Sequence, residues 1–228
     1  MIWTIPNILT MLRVLAAPCV ALAFVVFERP LADWVAFGLF AGAALTDYLD
    51  GWLARSWGQE SEIGKMLDPI ADKAMVIIAL MVLVMRDNVS GPILSAEQQW
   101  IVMQDDTLAL LVVPSVLIVL RETLVSGLRE YLGDIKLRVT QLAKWKTTAQ
   151  MVAIGILLAV APLRDLLGGF TPRRYLDYPE AFAWMQPISH VQMVGVVLLW
   201  VATAFTVISG IDYFRKGLVE LRKREVKG

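Results

Sequence analysis

Two short runs hold the residues whose types and spacing can do chemistry: Asp47-Tyr-Leu-Asp50-Gly51-Trp-Leu-Ala54-Arg55 and Asp68-Pro-Ile-Ala-Asp72. Four carboxylates stand on segments otherwise apolar enough to be membrane helices. An ionised side chain inside the hydrocarbon costs at least about 2.5–3.5 kcal/mol, so function is the first reason to consider for its presence. On a helix that turns about 100° per residue, Asp50, Gly51, Ala54 and Arg55 fall within roughly 80° of Asp47, on one face. Asp68 and Asp72, four apart, share a face of the next helix. The connector between the runs allows only an antiparallel return, so the four carboxylates are expected to meet in one pocket, Asp47 and Asp72 deepest.

Such a cluster repels itself in low dielectric unless cations sit within it. Oxygen-only ligands select hard divalent ions, magnesium or manganese, over zinc. Four carboxylates can hold two ions, the arrangement that clamps the oxygens of an in-line phosphoryl displacement. Gly51 and Ala54 let a bulky ligand approach the helix, and Arg55 can grip phosphate oxygens in pairs. The alternative is a structural charge network in which Lys65 and Lys73 pair with the acids. Against it, the acids outnumber the nearby bases, and small residues interleave with them on the same face.

These runs require membrane helices to position them. Apolar stretches long enough to span a bilayer, about 20 residues, fall near 8–28, 33–55, 66–86, 108–131, 147–163 and 191–213, with the second and fourth expected to score modestly by hydropathy. The expected fold is all-α: a single domain over 1–228, a six-helix integral membrane bundle with a cytoplasm-facing polar pocket. Residues 1–7 are expected to form a short interfacial segment, with Pro6 at a helix start. Longer connectors are expected at 87–107 and 164–190. Lysine and arginine concentrate in the connectors on one side, around Arg55, Lys65, Lys136, Arg138, Lys144 and Lys146, and after Asp212. That bias puts both termini and the carboxylates in the cytoplasm. Arg29, Arg86 and Arg164 belong to the other side.

The 228 residues are 57% hydrophobic and the mean hydropathy is +0.62, which excludes an ordinary soluble domain. With 21 basic and 21 acidic residues, no global basic field suggests nucleic acid. The lone Cys19 excludes an internal disulfide and is expected to be a small buried hydrophobe. His190, the only histidine, falls at the outer end of the last span and is expected to be interfacial. Gly38-x3-Gly42 permits close helix packing, within the chain or between subunits. The N-terminus has no secretory-signal pattern and is expected to be mature sequence, and a compact chain of this kind suits a bacterial plasma (inner) membrane.

The run Asp-x2-Asp-Gly-x2-Ala-Arg-x8-Gly-x3-Asp-x3-Asp, matched at every position from Asp47 to Asp72, resembles the signature of the CDP-alcohol phosphatidyltransferases. The resemblance implies a six-helix, usually dimeric membrane enzyme that transfers a phosphatidyl group from a CDP-linked lipid to an alcohol and releases CMP. It implies that Asp47, Asp50, Asp68 and Asp72 bind two divalent ions. Asp72 would also be the general base, and Gly51, Ala54 and Arg55 would hold the CDP moiety.

The acceptor is addressed by the fourth and fifth spans. Arg121 and Arg129 lie near one face of the fourth, and Lys144 and Lys146 open the fifth; together they are expected to form a cationic cup for a phosphate. Local pairing of Arg121 with Glu122, or of Arg129 with Glu130, is the alternative. The Arg-Glu…Arg-Glu-Tyr-Leu and Lys-x-Lys-Thr-Thr-Ala-Gln runs, with the opening Asn7-x2-Thr10-x2-Arg13, are similar to the branch of the family that uses glycerol 3-phosphate with CDP-diacylglycerol. By that resemblance Asn7, Thr10 and Arg13 help hold CDP. With no Ser, Cys or His in the carboxylate runs, direct displacement is expected rather than a covalent intermediate. Rival readings are another acceptor, inositol phosphate or phosphatidylglycerol, and, in a different class, an ion or proton transporter.

Overall fold

The computed structural model of the chain describes residues 4–57, 62–89, 107–132, 141–168 and 181–225. Every element among them is a helix: α1 (Ile5–Val26), α2 (Leu31–Trp57), α3 (Glu62–Val89), α4 (Thr107–Leu132), α5 (Gln141–Gly168) and α6 (Ala181–Glu225). Five of them contain an expected span whole, and α1 covers the first up to Val26, two residues short of its expected end. Among the described residues, four carry stretches long and apolar enough to cross a membrane, Asn7–Val26, Ala109–Leu132, Trp145–Leu167 and His190–Arg222, so the chain is a multi-pass membrane protein. The fourth span thus meets the hydropathy criterion that it was expected to satisfy only modestly. The helices outside this set, α2 and α3, are those that carry the four carboxylates.

The segment expected at the interface is, from Thr4 onward, the cap and first turn of α1. The Thr4 hydroxyl accepts from the Asn7 backbone N–H at 3.4 Å, and Pro6 occupies the first turn, where its missing N–H forfeits no helical bond. Several helices outrun their apolar windows because polar residues continue them. α5 reaches Gly168. α6 has 45 residues, about 67 Å of helix, and absorbs the basic segment after Asp212 through an i,i+4 pair, Lys216 Nζ to Asp212 Oδ2 at 2.6 Å. The middles of the two long connectors lie outside the described residues, as do Lys136 and Arg138 between α4 and α5.

α1 packs against both α2 and α3, α5 against α6 and α2, and α4 against α6 and α3. The core combines alanines with larger groups: Ala17, Ala36, Ala79 and Ala153 beside Phe40, Met75, Leu80 and Ile154. In lipid no hydrophobic gain drives helices together, so close van der Waals approach across small residues must do so. Gly195 of α6 is such a contact: a Cβ there would lie 2.9 Å from Leu157 of α5. Gly38 and Gly42 are different. A Cβ at either would meet nothing within 4 Å, so the pair makes no close contact among the described residues. Cys19, expected inside, is exposed on α1; facing lipid is no penalty for a small apolar side chain.

A buried ion cluster closes one end of the bundle. Asp33 of α2 pairs with Arg29 at 3.3 Å and with Arg86 of α3 at 3.6 Å. Arg86 also donates to the Leu157 carbonyl of α5 at 3.0 Å, and the Trp34 indole N–H to Asp165 Oδ2 at 3.0 Å. Fourteen residues separate Asp33 from Asp47 on α2, and fourteen separate Asp72 from Arg86 on α3. At about 1.5 Å per residue, Asp47 and Asp72 belong to a second polar layer roughly 21 Å from the first.

Gly195→Val is expected to destabilise the α5–α6 contact by about 1–3 kcal/mol, since Leu157 is buried and cannot step aside. Thermal unfolding in detergent reads this as a lower midpoint. An unchanged midpoint would mean that α6 does not depend on that approach.

Candidate functional site at the second polar layer

α1 reaches across to both carboxylate helices. One nitrogen of Arg13, Nη1, donates to Asp47 Oδ1 of α2 at 2.5 Å and to Asp72 Oδ1 of α3 at 3.0 Å. One turn earlier, the Thr10 hydroxyl donates to Asp68 Oδ1 at 2.8 Å. Spacing on α1 explains this: Asn7, Thr10 and Arg13 recur every three residues on one face, and all three are buried. The Arg13 side chain is 2% exposed, whereas those of Asp47 and Asp72 are 48% and 45% exposed. The guanidinium is thus sealed in the bundle while both carboxylates open outward.

Sequence reasoning brought Asp47, Asp68 and Asp72 together, and the structure joins them through α1. It did not anticipate that Arg13 and Thr10 would be the joining groups. α2 carries Asp50, Gly51, Ala54 and Arg55 on its last turns, and their side chains lie outside the described ones. Among the described residues no group of three or more His, Cys, Asp or Glu side chains is close enough to hold a metal ion. The donor chemistry nonetheless fits a hard divalent cation. Three carboxylates held by one arginine and one threonine retain net negative charge, and two of them are half exposed.

Beside Asp72, the next residue of α3 leads to a second cluster. Lys73 Nζ donates to Ser126 Oγ of α4 at 2.5 Å, and Ser126 donates to the Glu122 carbonyl at 2.6 Å. Lys146 of α5, buried, bonds Glu122 Oε1. Arg121 donates from Nη1 to that same oxygen at 3.0 Å and from Nη2 to Ser209 Oγ of α6 at 3.3 Å. The local Arg121–Glu122 pairing left open by the sequence is therefore present, with Lys146 joining it.

The cationic cup divides into parts. Arg121 and Lys146 converge on one carboxylate. Arg129 is exposed and lies over the Tyr213 ring of α6, 5.9 Å from its centroid, a cation–π distance. Lys144 stands on α5 with its side chain outside the described ones. Lys73, expected from the sequence only as a counter-ion for the acids, instead turns to α4 and links the two clusters. Its adjacency to Asp72 was the available signal: consecutive helical residues point about 100° apart, so one helix serves two sites. Close approach again sets the geometry: a Cβ on Gly210 of α6 would lie 2.9 Å from Arg121 Cγ.

Carboxylates opening from a polar layer inside an apolar helix bundle, with largely buried cations alongside, mark a multi-pass membrane protein that keeps charged groups among its helices. The family model for CDP-alcohol phosphatidyltransferase matches residues 3–208, and the chain belongs to that family. The protein named CDP-diacylglycerol–glycerol-3-phosphate 3-phosphatidyltransferase in Cereibacter sphaeroides is 48% identical over 235 residues, covering 96% of this chain and 98% of its own. Proteins of the same name are 34% identical in Rickettsia bellii, covering 92% of this chain and 93% of their own length, and 32% identical in Haemophilus influenzae, covering 93% and 92%.

Arg13→Gln leaves Asp47 and Asp72 facing each other without their shared cation. With the carboxylates half exposed, the expected loss of stability in EDTA is about 1–3 kcal/mol, below that of a fully buried pair. Magnesium is expected to recover part of it, read as a narrower gap in melting midpoint from the parent protein. A gap of the same size with and without magnesium would contradict a cation site at these carboxylates.

Proposed function

We propose that the chain transfers the phosphatidyl group of CDP-diacylglycerol to glycerol 3-phosphate, yielding phosphatidylglycerophosphate and CMP. The observation that carries this reading is the adjacency of two unlike clusters, half-exposed carboxylates from α2 and α3 and buried cations from α4 and α5, with Asp72 and Lys73 consecutive on α3. The names of the relatives that match nearly the full chain support the same reaction and acceptor.

Members of the family generally use divalent metal ions. Asp47, Asp50, Asp68 and Asp72 would hold two, magnesium or manganese, which when bound would neutralise the pyrophosphate and polarise the phosphatidyl phosphorus. The remaining work belongs to the chain. Gly51, Ala54 and Arg55 of α2 hold the CDP moiety, while the buried Thr10 and Arg13 of α1, expected from the sequence to touch CDP with Asn7, instead position Asp68, Asp47 and Asp72 from behind. Arg121 and Lys146 hold the phosphate of the acceptor, with Arg129 and Lys144 at the rim.

Asp72 accepts the proton of the acceptor's primary hydroxyl as that oxygen bonds to the phosphatidyl phosphorus. The phosphorus–oxygen bond to CMP breaks, and CMP leaves with the bonding pair. Positioning and charge stabilisation supply most of the rate, as in phosphoryl transfer generally. The reaction site and both termini face the cytoplasm of a bacterial inner membrane, a reading that rests on the lysine and arginine bias of the connectors. The enzyme works as a homodimer, by likeness to its family.

Purified protein with magnesium and CDP-diacylglycerol is expected to release CMP with glycerol 3-phosphate and not with inositol phosphate, phosphatidylglycerol or no acceptor. Asp72→Asn is expected to lower kcat by at least about a hundredfold. Release with a different acceptor would keep the reaction class and overturn the role of the cations. Charge movement across vesicles without CMP release would point to a transporter instead.

A further inference from the structure

Arg121 and Lys146 come from different helices, yet both bond the same oxygen, Oε1 of Glu122. The side chains of Lys146, Arg121 and Glu122 are 7%, 14% and 18% exposed, so the three charges meet largely out of solvent. Their donors are not exhausted. Arg121 Nε is buried with no hydrogen-bond partner, while Nη1 and Nη2 are engaged with Glu122 and Ser209. That N–H lies toward Gly210 of α6, where an added Cβ would stand 3.5 Å from Nε, so an incoming anion would meet Nη1 and the Lys146 ammonium, the two donors that Glu122 now occupies. The group is positively charged overall, but the carboxylate already sits where its two cations converge.

We propose that Glu122 is the resident anion of the acceptor site, which the phosphate of the acceptor displaces on binding. Acceptor binding is then an exchange of anions: Arg121 and Lys146 pass from a carboxylate to a phosphomonoester. The exchange sets a threshold of charge. A phosphomonoester, close to a dianion, competes well with a carboxylate for two cations; a phosphodiester, a monoanion, does not. Anionic glycerophospholipids whose phosphate links two alcohols, such as phosphatidylglycerol, are phosphodiesters. A resident carboxylate therefore keeps lipid headgroups out while admitting the monoester, and Glu122 becomes a specificity-determining residue. This inference rests on the acceptor site proposed above.

The test is steady-state CMP release by detergent-purified protein with varied glycerol 3-phosphate, using Glu122→Gln, Glu122→Asp and Lys146→Gln. Soluble dimethyl phosphate serves as the diester probe and inorganic phosphate as the monoester-like one. Glu122→Gln is expected to lower KM for glycerol 3-phosphate roughly three- to tenfold. It is also expected to make dimethyl phosphate an inhibitor at concentrations the parent tolerates, narrowing the difference from inorganic phosphate. Glu122→Asp, whose carboxylate is drawn back by one methylene, should shift KM the same way by less. An unchanged or higher KM in folded Glu122→Gln protein overturns the proposal and makes Glu122 a structural counter-ion. Failure of both Glu122 variants to fold does so too. Lys146→Gln separates the two levels. If it raises KM while Glu122→Gln does not lower it, only the exchange falls. If it leaves KM unchanged, the acceptor site lies elsewhere and the reading beneath falls with it.

Discussion

A single guanidinium nitrogen of Arg13 donates to Asp47 of α2 and to Asp72 of α3, and the arrangement of the first three helices follows from that contact. Carboxylates in a bilayer need a partner, and two on neighbouring helices push those helices apart unless a cation lies between them. α1 supplies it from a buried position. The Thr10 bond to Asp68 adds a second tie on the same face. At the other end of the bundle Asp33 is held by Arg29 and Arg86. With both ends pinned by charge, α2 and α3 are held in register against α1, and alanines such as Ala36 and Ala79 let the apolar layer between them close.

α3 then connects tasks of opposite charge. Asp72 turns to the carboxylate layer and Lys73 to α4, where Ser126, Glu122, Arg121 and Lys146 are linked by hydrogen bonds and ion pairs. The proposed reaction, in which divalent ions would hold a nucleotide-linked lipid beside a phosphorylated alcohol, calls for an anionic layer for the ions and a cationic one for the acceptor. Kept apart, each cluster retains its charge in low dielectric; merged, they would cancel. The half-exposure of Asp47 and Asp72 against the burial of Arg13 and Lys146 fits that division.

The helices were legible because a run of about 20 apolar residues matches the thickness of a bilayer and little else in a folded chain. The carboxylates were legible because acids at such spacings stand out against that background. The ties between helices were not legible. Arg13 lies 34 residues from Asp47 and 59 from Asp72, and no local periodicity connects them, so the sequence pointed to Arg13 only as a ligand for CDP. Glu122 looked like a local partner of Arg121; its bond to Lys146 depends on how α4 meets α5. Helical spacing grouped Arg129 with Arg121, but its guanidinium rests on Tyr213 of α6. The expectation of a buried Cys19 follows a preference that holds in water and loses its force where the outside is lipid.

The central claim is that the negative layer joined by Arg13 is a site for two divalent ions, with Asp72 among their ligands. The most direct measurement is the stoichiometry of Mn2+ bound by the purified protein in the presence of CDP-diacylglycerol, counted by electron paramagnetic resonance, for the parent and for Asp72→Asn. The account predicts two ions per chain in the parent and fewer in the variant. Fewer than one ion per chain in the parent, or binding that Asp72→Asn leaves unchanged, would contradict it.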